Sequence, residues 1–227
     1  MKRIWELDAL RGLGILSVII LHLLYDLSSP ILLNPVVDAF RRGVGIFFVL
    51  LSGLCVTLGK KTLKRGLTVF FWAMVITAVT AIMAHWGFLP RTTVIRFGVL
   101  HLLGVCMLLW PLWKKLPTWA LMAVAVVLVM LGHGVKHILV ESPWLFPLGL
   151  RRGDFSSGDY FPLLPFLGWF LLGAGLGRTI YKEKQTRFPR VCEKGPVLAG
   201  LCWCGRNCLL LYLLHQPVLF FILNIIP

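Results

Sequence analysis

Arg11 and His22 lie on one apolar stretch, separated by ten residues without a charge, and Asp26 follows one helical turn after His22. A titratable group inside a bilayer span is costly by a few kcal/mol or more, so it asks for a specific explanation. His22 and Asp26, at i and i+4, share a helix face, and a carboxylate there can fix the imidazole tautomer and raise its basicity. An imidazole of this kind is suited to general-base work near neutral pH. Arg11 offers a bidentate donor for phosphate or carboxylate, and Asp8, at i−3, is an alternative partner for it.

Further along the chain, Arg96 and His101 sit at the start of another apolar run. His215, followed by Gln216 and Pro217, interrupts the last run, where proline frees backbone groups. His85, His133 and His137 fall at run ends and read as interfacial. Arg41 and Arg42 fit a topological role as well as the bracketing of an anion. Gly173-x3-Gly177 reads as a small-residue packing face; a glycine surface admitting a cofactor's phosphates beside Arg178 is the alternative.

The elements that must position these residues are long and apolar. The 227-residue chain is 58% hydrophobic and 14% charged, with a mean hydropathy of +0.85. A span needs about 20 mainly apolar residues, and seven runs qualify: 9–27, 43–59, 66–86, 97–113, 118–136, 161–180 and 208–226. They are continuous rather than alternating, which excludes a β-barrel. The expected fold is therefore an all-α polytopic membrane helix bundle of about seven transmembrane helices, forming one domain over residues 1–227. The segment from His137 to Asp159 reads as an outer loop with re-entrant turns, and Tyr181–Gly205 as a basic inner loop. Lys2 and Arg3 precede the first run as in a signal peptide, but Arg11 and the lack of an A-x-A site favour an uncleaved helix.

With the N-terminus inside, 16 of the 23 Lys and Arg fall on the inner side and seven on the outer. That bias predicts an N-in, C-out orientation, and it accounts for the net charge of +14 without nucleic acid. Cys192, Cys202, Cys204 and Cys208 fall on or near the inner side, where thiols stay reduced. Their spacing lacks paired CxxC or His ligands, so no metal is expected.

The motifs resemble those of a known superfamily. Glu6-Leu-Asp8-Ala-Leu-Arg11-Gly12 with His22 is similar to the R-x10-H signature of acyltransferase-3-type membrane acyltransferases, and Gly43-Val-Gly-Ile-Phe-Phe-Val-Leu-Leu-Ser52-Gly53 to their second-helix block. Cys204-Gly-Arg-Asn207, continuing to Tyr212-Leu-Leu-His215-Gln-Pro217, resembles their late block. His22-Leu-Leu-Tyr-Asp26-Leu, Arg96-Phe-Gly-Val-Leu-His101 and Asp159-Tyr-Phe-Pro162 look closest to short bacterial relatives of heparan-α-glucosaminide N-acetyltransferase.

The resemblance implies an enzyme of the bacterial inner membrane that moves an acetyl group from cytoplasmic acetyl-CoA to a sugar, lipid or cell-envelope glycan at the outer face. It implies His22 as base, or as transient acyl carrier, with Asp26 orienting it. His101, His215 and Asn207 would line the path or polarise the thioester carbonyl. Arg11, Arg96, Arg178 and Asn207 would contact the donor. The polar core also fits a small transporter, and a non-catalytic assembly factor is a third class; a homo-oligomer is left open. Residues 28–42 lack the loop histidine of the much longer lysosomal enzymes, so a heparan acceptor does not carry over.

Overall fold

Each of the seven apolar runs is helical in the computed structural model, which describes residues 3–189 and 195–225. The helices are α1 (Trp5–Asp26), α2 (Pro35–Val56), α3 (Thr62–His85), α4 (Val99–Trp113), α5 (Thr118–Val135), α6 (Leu163–Ile180), α7 (Pro196–Arg206) and α8 (Cys208–Ile225). Among the described residues β pairing is confined to isolated bridges. The chain is an all-α, polytopic membrane protein.

Five helices are long and apolar enough to cross a membrane: α1, α2, α3, α5 and α6. The pair α7 and α8 passes together as one span bent by 87°. The expected seventh, α4, has 15 residues, which rise about 22 Å against a hydrocarbon core of roughly 30 Å. Five or six spans are thus supported by length, and α4 is a shorter apolar helix.

Two boundaries differ from the sequence expectation for clear reasons. Helix α2 starts at Pro35, eight residues before its apolar run, because proline fits a first turn whose N–H would have no helical partner. Its polar first turns carry Asp38, which accepts from Arg41 at 2.7 Å and also pairs with Arg42. Helix α7 lies within the segment expected as a loop. Pro196 begins it after Gly195, whose φ of +107° suits glycine. A basic stretch containing proline hides an 11-residue helix whose stability comes from the surface it packs on.

The described residues form two compact units, 1–51 with 181–227, and 52–180, with α2 running from one into the other. In the first, α7 and α8 pack on α1. A Cβ on Gly12 would run into the Leu201 carbonyl, and one on Gly205 into the Asp8 carbonyl. Small residues let these backbones approach, as in membrane helix pairs generally. Buried Glu6 ties down the chain beyond α6: it accepts from Thr186 Oγ1 and the Arg187 backbone N–H, both at 2.8 Å.

In the second unit, α3 packs on α4 and α5 on α6. Gly177 meets Leu54 and Thr57, so the glycine face of α6 is a packing face. The 137–159 segment is built rather than loose. Leu139 bridges Arg151, and Tyr160 bridges Phe97. The Tyr160 hydroxyl donates to the Phe146 carbonyl at 2.6 Å, and burial, partly offset by Arg151, pushes it up to about 12.

Candidate functional site

Helices α1 and α8 bring His22 and His215 together. Their rings meet edge to face, with centroids 4.9 Å apart. His22 is half-buried and His215 is buried. The His215 Nδ1 lies 2.6 Å from the Tyr212 carbonyl oxygen. A carbonyl only accepts, so Nδ1 carries the proton and Nε2 the lone pair. That Nε2 is buried and has no hydrogen-bond partner. An unpaired buried acceptor is costly and uncommon, and a catalytic role is one explanation for it.

Asp26 is placed one turn from His22, as its spacing requires, but its hydrogen-bond partner is on α8. Its carboxylate accepts from Gln216 Nε2 at 3.0 and 3.3 Å. Helical spacing makes two side chains neighbours; the partner across the helix interface decides where the carboxylate points. Asp26 and Gln216 therefore lock the two helices in register beside the imidazole pair.

At the other end of α1, buried Asp8 lies between two arginines. Arg11 approaches it at 3.6 Å and Arg206 at 3.4 Å. Asn207 forms the corner between α7 and α8: its side-chain and backbone N–H groups both donate to the Trp203 carbonyl, at 2.9 and 3.1 Å. Eleven residues of α1 separate Arg11 from His22, about 16 Å of helix.

The remaining expected residues lie in the 52–180 unit. His101 is buried and satisfied on both ring nitrogens. Its Nδ1 accepts from the Gly98 N–H at 3.2 Å, so Nε2 donates to Thr77 Oγ1 at 3.1 Å, which donates in turn to the Ile95 carbonyl at 2.7 Å. Asp159 completes this start of α4 by accepting from the Val99 N–H at 3.0 Å. Arg96 places its guanidinium 5.7 Å from the Phe155 ring centre. Arg178 donates to the carbonyls of Leu116, at 2.7 Å, and Lys114, at 2.9 Å, and stacks over Trp110. His85, His133 and His137 are exposed at or just beyond helix ends, as their positions suggested.

Glu6, Arg206, Gln216 and Asp159 were not singled out as site residues. Each lies inside a motif noted for its neighbours, which was the available signal. No group of three His, Cys, Asp or Glu side chains suited to a metal ion occurs among the described residues. The cysteines at 55, 106, 202, 204 and 208 form no disulfide among the described residues, and Cys192 lies outside them.

A helical membrane bundle with a paired-imidazole site on two of its helices is the class these features define. Residues 3–217 match the family described as heparan-alpha-glucosaminide N-acetyltransferase, catalytic. The chain belongs to this family and is a transmembrane acetyltransferase in the general sense. No curated protein and no solved structure matches it.

Proposed function

We propose that this protein transfers an acetyl group from cytoplasmic acetyl-CoA to an amine or hydroxyl of a sugar, lipid or cell-envelope glycan at the outer face. The two units together form the acetyltransferase domain, oriented N-in, C-out in a bacterial inner membrane. The observation that carries the reading is the His215 Nε2 lone pair, buried without a partner against His22, in a chain matched to an acetyltransferase family over most of its length.

In this scheme an imidazole of the pair removes the acceptor's proton as its nitrogen or oxygen attacks the thioester carbonyl. The tetrahedral intermediate collapses, the C–S bond breaks, and the imidazolium returns the proton to the departing CoA thiolate. His215 is pre-set for this, because its Nδ1 proton is held by Tyr212 while Nε2 stays available. His22, one turn from Asp26, is the alternative base and the partner that shares the proton. Arg11 and Arg206 attract the donor's phosphates at the inner end of α1, and Asn207 holds the corner that presents Arg206. Arg96, His101 and Arg178 keep the 52–180 unit in shape; the hydrogen bonds of the latter two commit them to backbone and threonine partners.

Purified protein incubated with acetyl-CoA and a panel of amino and hydroxyl acceptors is expected to release CoA thiol and form acetylated acceptor. No release, together with no thermal stabilisation by CoA, would overturn the reading. The position of Arg178 gives a separate test. Arg178→Ala leaves two carbonyls without their charged donor and is expected to destabilise the protein by about 1–3 kcal/mol. Thermal unfolding in detergent checks this. An unchanged midpoint with weakened CoA binding would make Arg178 a donor ligand instead.

A further inference from the structure

Packing in the 52–180 unit gathers the basic start of α3 and the basic end of α4 at one end of the bundle. A Cβ on Gly66 would meet Met107 and Leu108, and one on Gly104 would meet Phe70. Further along α3, Thr77 reaches His101. The two helices are therefore antiparallel, so Lys60, Lys61, Lys64 and Arg65 lie at the same end as Lys114 and Lys115. These residues are all exposed. Arg178, which donates to the carbonyls of Lys114 and Leu116, adds its charge to that end. We infer that this end of the unit is a binding surface for the headgroup of an anionic phospholipid, held by the lysines of both helices.

Charge balance carries the inference. Elsewhere in the chain, neighbouring arginines sit on a carboxylate: Arg11 and Arg206 on Asp8, Arg41 and Arg42 on Asp38, and Arg152 on Asp154. The lysines of the α3–α4 end make no ion pair among the described residues. The sequence gives the reason, since no Asp or Glu occurs between Asp38 and Glu141. The acids of this unit, Glu141, Asp154 and Asp159, lie between α5 and α6, at the end where α4 begins. The helix dipole does not account for the arrangement either. Cations are disfavoured at a helix N-terminus, and the first turn of α3 holds no acid. Phosphates of the bilayer surface supply the missing charge, and clusters of about 4–8 Lys and Arg beside a span attract them. Exposed Leu63, Leu67 and Leu112 offer an apolar surface next to the lysines for the acyl chains, and exposed Trp119 suits the headgroup level.

The test measures binding of phosphatidylglycerol and phosphatidylcholine, with the same acyl chains, to the purified full chain in neutral detergent. Wild-type protein is expected to bind the anionic lipid roughly tenfold or more tightly, with the preference shrinking as salt is raised. A triple variant (Lys60→Gln, Lys61→Gln, Lys64→Gln) and a double variant (Lys114→Gln, Lys115→Gln) should each weaken phosphatidylglycerol binding. The expected loss is about fivefold per lysine removed, with phosphatidylcholine unchanged. Arg41→Gln combined with Arg42→Gln is the control for lost charge and should leave both lipids unaffected. Equal binding of the two lipids by wild-type protein overturns the inference even if no variant folds. An equal loss in the arginine control also overturns it, because the effect is then one of net charge. Displacement of phosphatidylglycerol by CoA does so as well, since the lysines then hold donor phosphates. None of these measurements depends on acetyl transfer.

Discussion

Replacing His215 with alanine is expected to lower kcat for acetyl transfer by roughly 10²- to 10⁴-fold, the usual contribution of a positioned general base. KM for acetyl-CoA should change little, because Arg11 and Arg206 belong to the other end of α1. His22→Ala is expected to fall in the same range. The two losses should not multiply in the double variant, since both side chains serve one proton transfer. Of the two, His215 should show the larger loss: its tautomer is fixed by the Tyr212 carbonyl, and its Nε2 lacks any other partner. Steady-state thiol release, with circular dichroism to confirm helix content, measures both. Full activity in both single variants would remove the imidazole pair from the mechanism.

The second large effect is on the packing that holds the pair in place. Gly205→Ala is expected to cost about 3 kcal/mol or more, at the upper end of overpacking penalties. Its new methyl would meet the Asp8 backbone carbonyl and, at 3.0 Å, the Gly12 nitrogen. Backbone atoms of a neighbouring helix cannot swing aside as a side-chain tip can, so α7 would have to lift off α1. Gly200, on the same helix, is the control, because a Cβ there meets nothing within 4 Å. Gly200→Ala should be neutral or stabilising by up to about 1 kcal/mol from helix propensity alone. Melting temperatures in one detergent compare the two. Similar midpoints for both variants would mean that the α1–α7 contact is not tight.

The helices were legible in the sequence because continuous apolar runs of about 20 residues have few alternatives in a bilayer. Helix α7 was not, since the basic, proline-containing segment that leads into it reads as a loop, and its packing on α1 supports the helix. Helix α4 is shorter than its apolar run suggests, because hydropathy reports apolar character while hydrogen bonding at the helix ends sets length.

The same division runs through the site. The types and order of Arg11, His22, Asp26, Asn207 and His215 pointed to the superfamily, and to chemistry at the imidazoles, without any coordinates. The sequence could place Asp26 one turn from His22, since helical periodicity is a property of one chain segment. Only the tertiary structure gave Asp26 its Gln216 partner, set His215 beside His22 and put Arg206 against Asp8. Spacing along a helix sets which side chains share a face. The direction of a carboxylate, or the nitrogen that keeps a proton, follows from hydrogen-bond partners nearly 200 residues away or across a turn, and those exist only once the helices have packed.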